Sequence, residues 1–298
     1  MSALANLGSY MAFPTSDENQ ILQRVKDAEI IIANKAPFTR QVLGSLPRLR
    51  LVTLIATGSN NVDLAAAREN GVCVCNVSGY AAAAVAQHAF ALLLNLATRT
   101  HVYHQDVQAG KWQRADSFTL LSYRTFELAG KTLGIIGFGA IGRQVARIAE
   151  AFEMRVLAYD PLGIRDGSHP NSELEQIFAQ SDVVTLHCPL TDQNRHLIDT
   201  AALARMKESA FLINTARGGL VDEKALFDAL QAGKIAGAGI DVVSVEPPVR
   251  GNMLLSARNI VVTPHSAWST VEARQRLIDE TVKNIQAFLS GQPRNVVT

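Results

Sequence analysis

The sequence has little net charge of either sign. Its 28 Lys and Arg residues nearly balance its 27 Asp and Glu residues, so the formal net charge is only +1. A chain without a basic excess lacks the electrostatic attraction on which nucleic-acid-binding proteins depend. We therefore expect no nucleic-acid partner.

Cysteine is scarce. The three cysteines, Cys73, Cys75 and Cys188, form no disulfide framework, and no metal-type spacing joins them to histidines. Cys73 and Cys75 alternate within an apolar segment, which is typical of packed thiols. The sequence therefore predicts neither structural disulfides nor a bound metal.

Long hydrophobic segments are absent as well. The longest apolar stretch, residues 81–98, is interrupted by Gln87, His88 and Asn95, which is typical of a buried helix rather than a membrane span. The N-terminus has no basic region before an apolar core, so no signal peptide is expected. We predict a cytoplasmic protein without membrane contact, and its 298 residues are enough for about two domains.

One glycine-rich segment is present between two apolar runs. Residues 133–142 read LGIIGFGAIG, apolar residues at helical spacing follow, and the next apolar run ends at Asp160. Strand, glycine turn, helix, strand and acid in this order form the dinucleotide-binding fingerprint, whereas the glycine motif alone would more often be a simple turn. The sequence therefore predicts a dinucleotide site.

Each residue of this fingerprint has an expected role. Gly137 permits the tight turn, Gly139 lets the backbone approach a pyrophosphate, and Gly142 lets the helix pack closely on the strand. The pyrophosphate is expected at the free N–H groups of the helix start, near Ala140 and Ile141. Asp160 is expected to accept hydrogen bonds from ribose hydroxyls and to repel a 2′-phosphate, which predicts NADH rather than NADPH as the cofactor.

The rest of the chain alternates predicted strands and helices, a pattern that indicates parallel sheets covered by helices on both faces. Predicted helices lie at residues 18–26, 40–45, 64–69, 81–99, 172–180, 200–206, 223–232 and 270–289. Predicted strands lie at residues 10–13 (weak), 29–33, 49–55 and 73–77, and then at 133–136, 156–159, 183–187, 211–214, 237–241 and 260–263. The last six strands are enough for one complete doubly wound sheet.

Polar side chains follow three consecutive predicted strands, where ligands bind in such sheets. Arg217, Glu246 and His265 supply a planar cation, a carboxylate and an imidazole, which suit hydride transfer to a carbonyl acid. Each residue alone would more often be structural, but all three at consecutive strand ends favour a catalytic role. Glu246 beside His265 would favour the imidazolium and fix the ring.

Five segments resemble the D-isomer-specific 2-hydroxyacid dehydrogenases along nearly the whole chain. They are LGIIGFGAIG with Asp160, DVVTLHCPLTDQN from Asp182, INTARGGLVDEKAL from Ile213, AGIDVVSVEPP from Ala238 and VTPHSAW from Val262. The resemblance implies an NAD-dependent enzyme that interconverts small 2-hydroxy and 2-oxo acids. Among its members, the sequence is most similar to glycerate dehydrogenases, also called hydroxypyruvate reductases, and Glu246 argues against formate as the substrate.

The resemblance also implies an organisation and a set of site residues. It implies an α/β protein of two doubly wound domains: a flavodoxin-like substrate domain of residues 1–98 with 270–298, and a Rossmann NAD-binding domain of residues 99–269. It implies a homodimer formed through the NAD-binding domain. Arg217, Glu246 and His265 would be catalytic, backbone at Gly58 and Ser59 would hold the substrate carboxylate, and the cofactor would be lined further by Cys188, Asn194, Thr215, Ala216 and Asp241.

Three expectations remain open at this point. Members of the family usually begin with a strand that is absent before residues 4–13, so the first sheet is expected to be one strand short or strained near residues 1–15. A dinucleotide-sensing binding protein of the same fold, which can retain the same three residues, is one alternative to an active enzyme, and a truncated inactive paralogue without the first strand is another. Residues 111–126, rich in aromatics but without helical or strand periodicity, are expected either to form a surface loop or to pack on a partner subunit.

Overall fold

The chain folds into two compact units. The computed structural model describes residue 4, residues 7–165 and residues 167–298. One unit comprises Met1–Ala81 with Ser269–Thr298, and the other comprises Ala82–Trp268. Both units alternate strands and helices, so the α/β class predicted from the sequence is confirmed.

The first unit is built on a three-stranded parallel sheet with the strand order β1-β2-β3. Ile30 pairs with Leu51, and Leu51 pairs with Cys73, so the three strands are in register along one line. Asp17, Thr39 and Asp63 cap the three helices that precede β1, β2 and β3 respectively. The elements are α1 (Glu18–Val25), β1 (Ile30–Ala33), α2 (Arg40–Gly44), β2 (Leu51–Leu54), α3 (Leu64–Glu69), β3 (Cys73–Cys75) and, at the C-terminus, α10 (Val271–Leu289).

The core of the first unit lies on both faces of this sheet. Phe38 and Leu43 pack with Val52 on one side, and Ile285 of α10 packs with Leu51 on the other. The tail after α10 returns to the sheet, where the Val297 N–H donates to the Val74 carbonyl at 2.8 Å. The C-terminal segment is therefore part of the first unit.

The predicted strand at residues 10–13 is wrong. These residues form no strand, and Tyr10 and Phe13 are exposed. The Phe13 ring lies under the Arg24 guanidinium, at 4.7 Å from its centroid, rather than in a sheet. Apolar side chains that stay exposed to solvent make no contacts with neighbouring strands or a core, and such contacts are what stabilises a strand. The expectation for residues 1–15 also covers residues 1–3, 5 and 6, which lie outside the described part of the chain.

The second unit contains a six-stranded parallel sheet of order β5-β4-β6-β7-β8-β9. A single parallel bridge between Ala158 and Asn171 lies beyond β5 at its outer edge. Short 3₁₀ turns lie at Asp192–Asn194, Gly218–Leu220 and Met253–Ser256. The elements are α4 (Ala82–Thr98), α5 (Thr100–Gln108), β4 (Thr132–Ile136), α6 (Ala140–Ala151), β5 (Arg155–Tyr159), α7 (Leu174–Gln180), β6 (Val183–Leu186), α8 (Thr200–Arg205), β7 (Phe211–Asn214), α9 (Glu223–Gln231), β8 (Gly237–Ile240) and β9 (Ile260–Val262).

The strand order places a topological switch point between β4 and β6. The chain leaves β4 for β5 on one side and later enters β6 on the other, which opens a crevice at the carboxyl ends of these strands. Buried residues on both faces of the sheet form two large apolar clusters. The fold therefore presents a ligand site at the glycine turn after β4.

Helix α4 belongs to the second unit, whereas the predicted boundary at residue 98 assigned it to the first. The reason is its packing on β8: a β-carbon at Gly239 would lie 2.8 Å from Leu92 Cβ, and one at Gly237 would lie 3.3 Å from Leu96 Cδ2. Glycines in β8 thus let the apolar helix approach the sheet. No helix in the described part of the chain is both long enough and apolar enough to cross a bilayer.

Candidate active site

The glycine turn after β4 has the geometry that a dinucleotide needs. Gly137 has a φ of +96°, and a β-carbon there would lie 2.5 Å from the Cys188 nitrogen. A β-carbon at Gly142 would lie 2.2 Å from the Gly137 carbonyl oxygen. Gly139, by contrast, has no atom within 4 Å of such a position, so the space beside it is open. The two outer glycines bring strand, turn and helix together, and the middle one leaves room for a pyrophosphate.

Asp160 is tied to this turn. Its Oδ2 accepts the Phe138 N–H at 2.9 Å, and its Oδ1 accepts the Leu162 N–H at 3.0 Å. Each carboxylate oxygen keeps further acceptor capacity for a ribose hydroxyl. Ala140 and Ile141 form the first turn of α6, as predicted, where backbone N–H groups favour an anion.

The end of β6 adjoins the glycine turn through Cys188. This thiol is buried, and burial raises its pKa to about 11, so it is neutral at physiological pH. Asn194 braces the following loop, because its Nδ2 donates to the Pro189 carbonyl at 2.8 Å and its Oδ1 accepts the Thr191 N–H at 2.7 Å. Both residues therefore shape the wall beside the turn.

The end of β7 places Thr215, Ala216 and Arg217 in succession. Asn214 fixes this segment, since its Oδ1 accepts the Ala216 N–H at 3.0 Å and its Nδ2 donates to the Arg217 carbonyl at 2.9 Å. Arg217 itself is exposed. Thr215 Oγ1 is buried without a hydrogen-bond partner among the described residues. An unpaired buried hydroxyl and the open space at Gly139 both fit a bound dinucleotide.

Asp241, at the end of β8, organises the loop that follows β9. Its carboxylate accepts hydrogen bonds from the Ser266 and Ala267 N–H groups, each at 2.9 Å, and from Thr263 Oγ1 at 2.5 Å. Burial alone would raise the pKa of Asp241, but hydrogen bonds from His88, Thr263 and the two N–H groups outweigh it and hold the pKa below its ordinary value. Asp241 is therefore an ionised anchor for this loop.

His265 and Glu246 form the closest acid–base pair of the site. His265 Nδ1 lies 2.5 Å from Glu246 Oε2, and about a third of each side chain is exposed to solvent, 30% and 32% respectively. The His265 N–H also donates to the Asp241 carbonyl at 2.7 Å. Because Nδ1 is engaged by the carboxylate, Nε2 is the ring nitrogen left for a substrate.

The segments that carry Arg217 and Glu246 touch directly. A β-carbon at Gly218 would lie 2.0 Å from the Val243 carbonyl carbon and 2.4 Å from the Ser244 nitrogen. Gly218 therefore lets the chain after Arg217 lie against the chain before Glu246. The structure thus gathers the three predicted catalytic residues onto adjoining segments at the carboxyl ends of β7, β8 and β9.

Gly58 and Ser59 belong to the first unit, in the turn after β2. Thr57 Oγ1 donates to the Val77 carbonyl at 3.0 Å, and Asn76 Nδ2 donates to the Thr57 carbonyl at 2.7 Å, which holds this turn against the end of β3. Both predicted residues lie at the carboxyl edge of their own parallel sheet. That is where a ligand-binding turn is expected.

Two residues with contacts at the site were not predicted from the sequence. His88 of α4 reaches Thr263 Oγ1 at 2.9 Å and Asp241 Oδ1 at 3.5 Å. Glu223, the first residue of α9, accepts hydrogen bonds from Ser244 and Asn252. A single histidine within an apolar helix was the available signal for His88. The described residues contain no cluster of three or more metal-ligating side chains.

The site combines a nucleotide-binding crevice with a histidine paired to a carboxylate, a buried ionised aspartate and an exposed arginine. This combination is typical of a dinucleotide-dependent oxidoreductase. The sequence profile of the family described as "D-isomer specific 2-hydroxyacid dehydrogenase, NAD binding domain" matches residues 90–267. The chain belongs to this family.

Similar proteins agree with this assignment. The chain is 46% identical to a glycerate dehydrogenase of Methylorubrum extorquens, over 93% of this chain and 88% of the relative. It is 40% identical to a hydroxypyruvate reductase of Blautia hydrogenotrophica, over 100% and 93% of the two chains. The solved structure of a glyoxylate reductase from Paecilomyes thermophila superposes with a TM-score of 0.88 at 29% identity, covering 99% of this chain and 93% of that one.

The chain is therefore an NAD-dependent oxidoreductase that acts on the CH–OH group of 2-hydroxy acids. This confirms the class of enzyme, the Rossmann-type dinucleotide domain and the cofactor predicted from the sequence. A small 2-oxo or 2-hydroxy acid is its substrate.

Proposed function

We propose that the chain reduces hydroxypyruvate to D-glycerate with NADH, and glyoxylate as a smaller second substrate. The pair formed by His265 Nδ1 and Glu246 Oε2 at 2.5 Å carries this proposal, since it supplies an oriented proton donor. The names of the relatives from Methylorubrum extorquens and Blautia hydrogenotrophica support this choice of acid.

The three catalytic residues have separate tasks in this proposal. Bound NADH supplies the hydride that C2 of the 2-oxo acid accepts. His265 donates a proton from Nε2 to the substrate oxygen, while Glu246 holds the ring in position through Nδ1. Arg217 binds the substrate carboxylate or carbonyl oxygen with its planar guanidinium. In the reverse direction His265 accepts the proton from the hydroxyl group.

The remaining site residues bind the two ligands. Asp160 accepts the ribose hydroxyls, and the N–H groups of Ala140 and Ile141 bind the pyrophosphate beside Gly139. Gly58 and Ser59 bind the substrate carboxylate through backbone N–H groups. The cofactor is further lined by Gly137, Gly142, Cys188, Asn194, Thr215, Ala216 and Asp241. The first unit is accordingly the substrate-binding unit, and the second is the NAD-binding unit.

We further propose a homodimer formed through the second unit and a cytoplasmic location. Residues 111–126 carry three exposed apolar side chains, Trp112, Phe118 and Leu121, which suit a protein interface. Cys73, Cys75 and Cys188 are all free thiols, which suits a reducing compartment.

A substrate panel tests this proposal. Purified protein is assayed by loss of nicotinamide absorbance with hydroxypyruvate, glyoxylate, pyruvate and a branched 2-oxo acid, each with NADH and with NADPH. We expect the highest kcat/KM for hydroxypyruvate with NADH. A higher value for pyruvate or the branched acid, or NADPH equal to NADH, would contradict it. NADH binding without turnover of any acid would instead favour a dinucleotide-sensing protein.

A further inference from the structure

Glu223 is bound to the loop that carries Glu246. Its Oε1 accepts the Ser244 N–H at 2.7 Å, and its Oε2 accepts Ser244 Oγ at 2.8 Å and Asn252 Nδ2 at 2.9 Å. Hydrogen bonds to an ionised carboxylate are stronger than those between neutral groups. The two ends of residues 244–252, which we call the acid loop, are therefore fastened to one side chain.

The acid loop has few other attachments in the described part of the chain. Val245 and Val249 are 67% and 82% exposed, so they contribute little packing to hold it. Its hydrogen bonds between backbone groups are local, from the Val249 N–H to the Pro247 carbonyl and from the Gly251 N–H to the Pro248 carbonyl. Beyond Glu223, Glu246 contacts His265 and accepts the Val243 N–H at 3.1 Å, and Asn252 Oδ1 accepts the Leu254 N–H at 2.9 Å.

The position of Glu223 in the chain connects the acid loop to Arg217. Glu223 begins α9, which follows Arg217 after the short 3₁₀ turn Gly218–Leu220. Gly218 already lies against Val243 and Ser244 through close backbone contact. Backbone contact at Gly218 and hydrogen bonds at Glu223 thus join the same two segments at two points, which fixes the offset between Arg217 and Glu246.

We infer that Glu223 is a positioning residue for catalysis: by fastening Ser244 and Asn252, it holds Glu246 against His265. This inference rests on the proposed roles of Glu246 and His265. Glu223 does not touch the reacting atoms, so its loss should lower kcat for hydroxypyruvate and leave NADH binding unchanged. A purely structural role would instead lower the melting temperature without this selective effect.

The first experiment replaces Glu223 with glutamine. One oxygen becomes an NH₂ group, which faces a donor of Ser244 or Asn252, so the acid loop loses at least one attachment. We expect kcat to fall roughly 10-fold, consistent with a catalytic pair displaced by a fraction of an ångström. The Kd for NADH should change less than about twofold. The control is Lys224→Gln on the same helix, whose exposed side chain pairs with Asp228 one helical turn away; it should leave kcat unchanged.

Two further variants separate positioning from general damage. In the Glu246→Ala background there is no carboxylate to position, so adding Glu223→Gln should lower kcat by less than twofold. The double variant Glu223→Gln with Asn252→Asp lets the new amide donate to the new carboxylate, and it should recover kcat relative to Glu223→Gln alone. Asn252→Asp alone places two carboxylates together and should lower kcat.

The outcomes distinguish the inference from the function on which it rests. If Glu246→Ala lowers kcat but Glu223→Gln does not, the positioning role is wrong and the proposed catalytic pair stands. If the effects of Glu223→Gln and Glu246→Ala simply multiply in the double variant, Glu223 does not act through Glu246. If Glu246→Ala itself leaves kcat unchanged, the proposed role of Glu246 fails first.

Discussion

His265 has a left-handed backbone conformation, with a φ of 53°. For a residue with a side chain this conformation costs about 1–3 kcal/mol and persists only where the surroundings impose it. The surroundings here are the hydrogen bond to the Asp241 carbonyl and the bonds from the next two N–H groups to the Asp241 carboxylate. Hydrogen bonds to the buried Asp241 therefore hold the strained backbone of His265 in place.

The exposed Arg217 gives a prediction at the same scale. Arg217→Ala should raise KM for hydroxypyruvate and lower kcat as well, because in its proposed role the guanidinium binds a group present in both the ground state and the transition state. The combined loss in kcat/KM should be roughly 10–100-fold, the usual effect of losing one charged hydrogen-bonding group. Steady-state kinetics measure it, with the exposed Arg205→Ala as the control. A change in KM alone would contradict the proposed role.

Residues with local signals were predictable, and residues with purely tertiary contacts were not. Glu246 and His265 were placed at the site because each follows a recognisable strand, and the structure brings their side chains together. His88 and Glu223 reach the site from helices that are distant in sequence from their partners. Their contacts depend on how α4 and α9 pack on the sheet, which no local pattern records.

At the level of elements, Asp182 connects three parts of the second unit. It precedes β6, and its carboxylate accepts the Thr132 N–H of β4 and Lys207 Nζ after α8, each at 2.9 Å. Burial alone would raise the pKa of Asp182, but these hydrogen bonds and the nearby lysine charges outweigh it and lower the pKa. The ionised carboxylate therefore stabilises the folded state.

This lowered pKa predicts a pH-dependent loss of stability in Asp182→Asn. A carboxyl group whose pKa is lower in the folded state stabilises above its unfolded pKa, ~3.9, and loses this contribution as the pH falls through the folded value. The variant should melt about 2–6 °C below the wild type at pH 7, from a loss of about 1–2 kcal/mol. The difference should shrink as the pH falls below about 4.

Calorimetric melting curves at several pH values measure this difference. The matched control is Asp228→Asn, an exposed carboxylate paired with Lys224 one helical turn away, which should shift the melting temperature by no more than about 2 °C. A difference of equal size for Asp182→Asn at pH 7 and pH 3.5 would show that the charge of Asp182 is not the source of its effect.

Elements with strong periodicity were predicted within a few residues, while weak ones were missed. All six strands of the second unit appear, since each is a short buried apolar run bounded by turn residues. Residues 10–13 resembled a strand only in composition, and α5, a polar helix with one buried residue, Asp106, gave no apolar pattern. The position of α4 in the second unit depends on the glycines of β8, which lie far from α4 in the sequence. The sequence of α4 alone therefore did not indicate this position.

At the scale of the whole molecule, the segment of residues 111–126 leaves large apolar side chains mostly exposed to solvent. Phe118 is 90% exposed and Leu121 is 86% exposed, while Trp112 Nε1 donates to the Phe118 carbonyl at 2.9 Å. When a second chain buries exposed apolar side chains of this kind, their burial stabilises the association between the two chains. Residues 111–126 are therefore the part of the second unit on which we base the proposed dimer.

Light scattering at micromolar concentration should give twice the 32.2 kDa mass of one chain. Replacing Phe118 and Leu121 together with aspartate should shift the mass to that of the monomer, because two charges would have to be buried in the interface. Val271→Asp changes an apolar residue of the first unit that is 69% exposed, and it should leave the mass unchanged. A monomeric wild type would rule out the dimer.

We propose that His265, held by Glu246, delivers the proton during reduction of the 2-oxo acid. The most direct test compares kcat for hydroxypyruvate at saturating NADH in the wild type and in His265→Gln, together with the Kd for NADH from fluorescence titration. We expect kcat to fall roughly 10²–10⁴-fold, the usual contribution of a positioned proton donor, while the Kd changes less than about threefold. A kcat within threefold of the wild type would contradict the account.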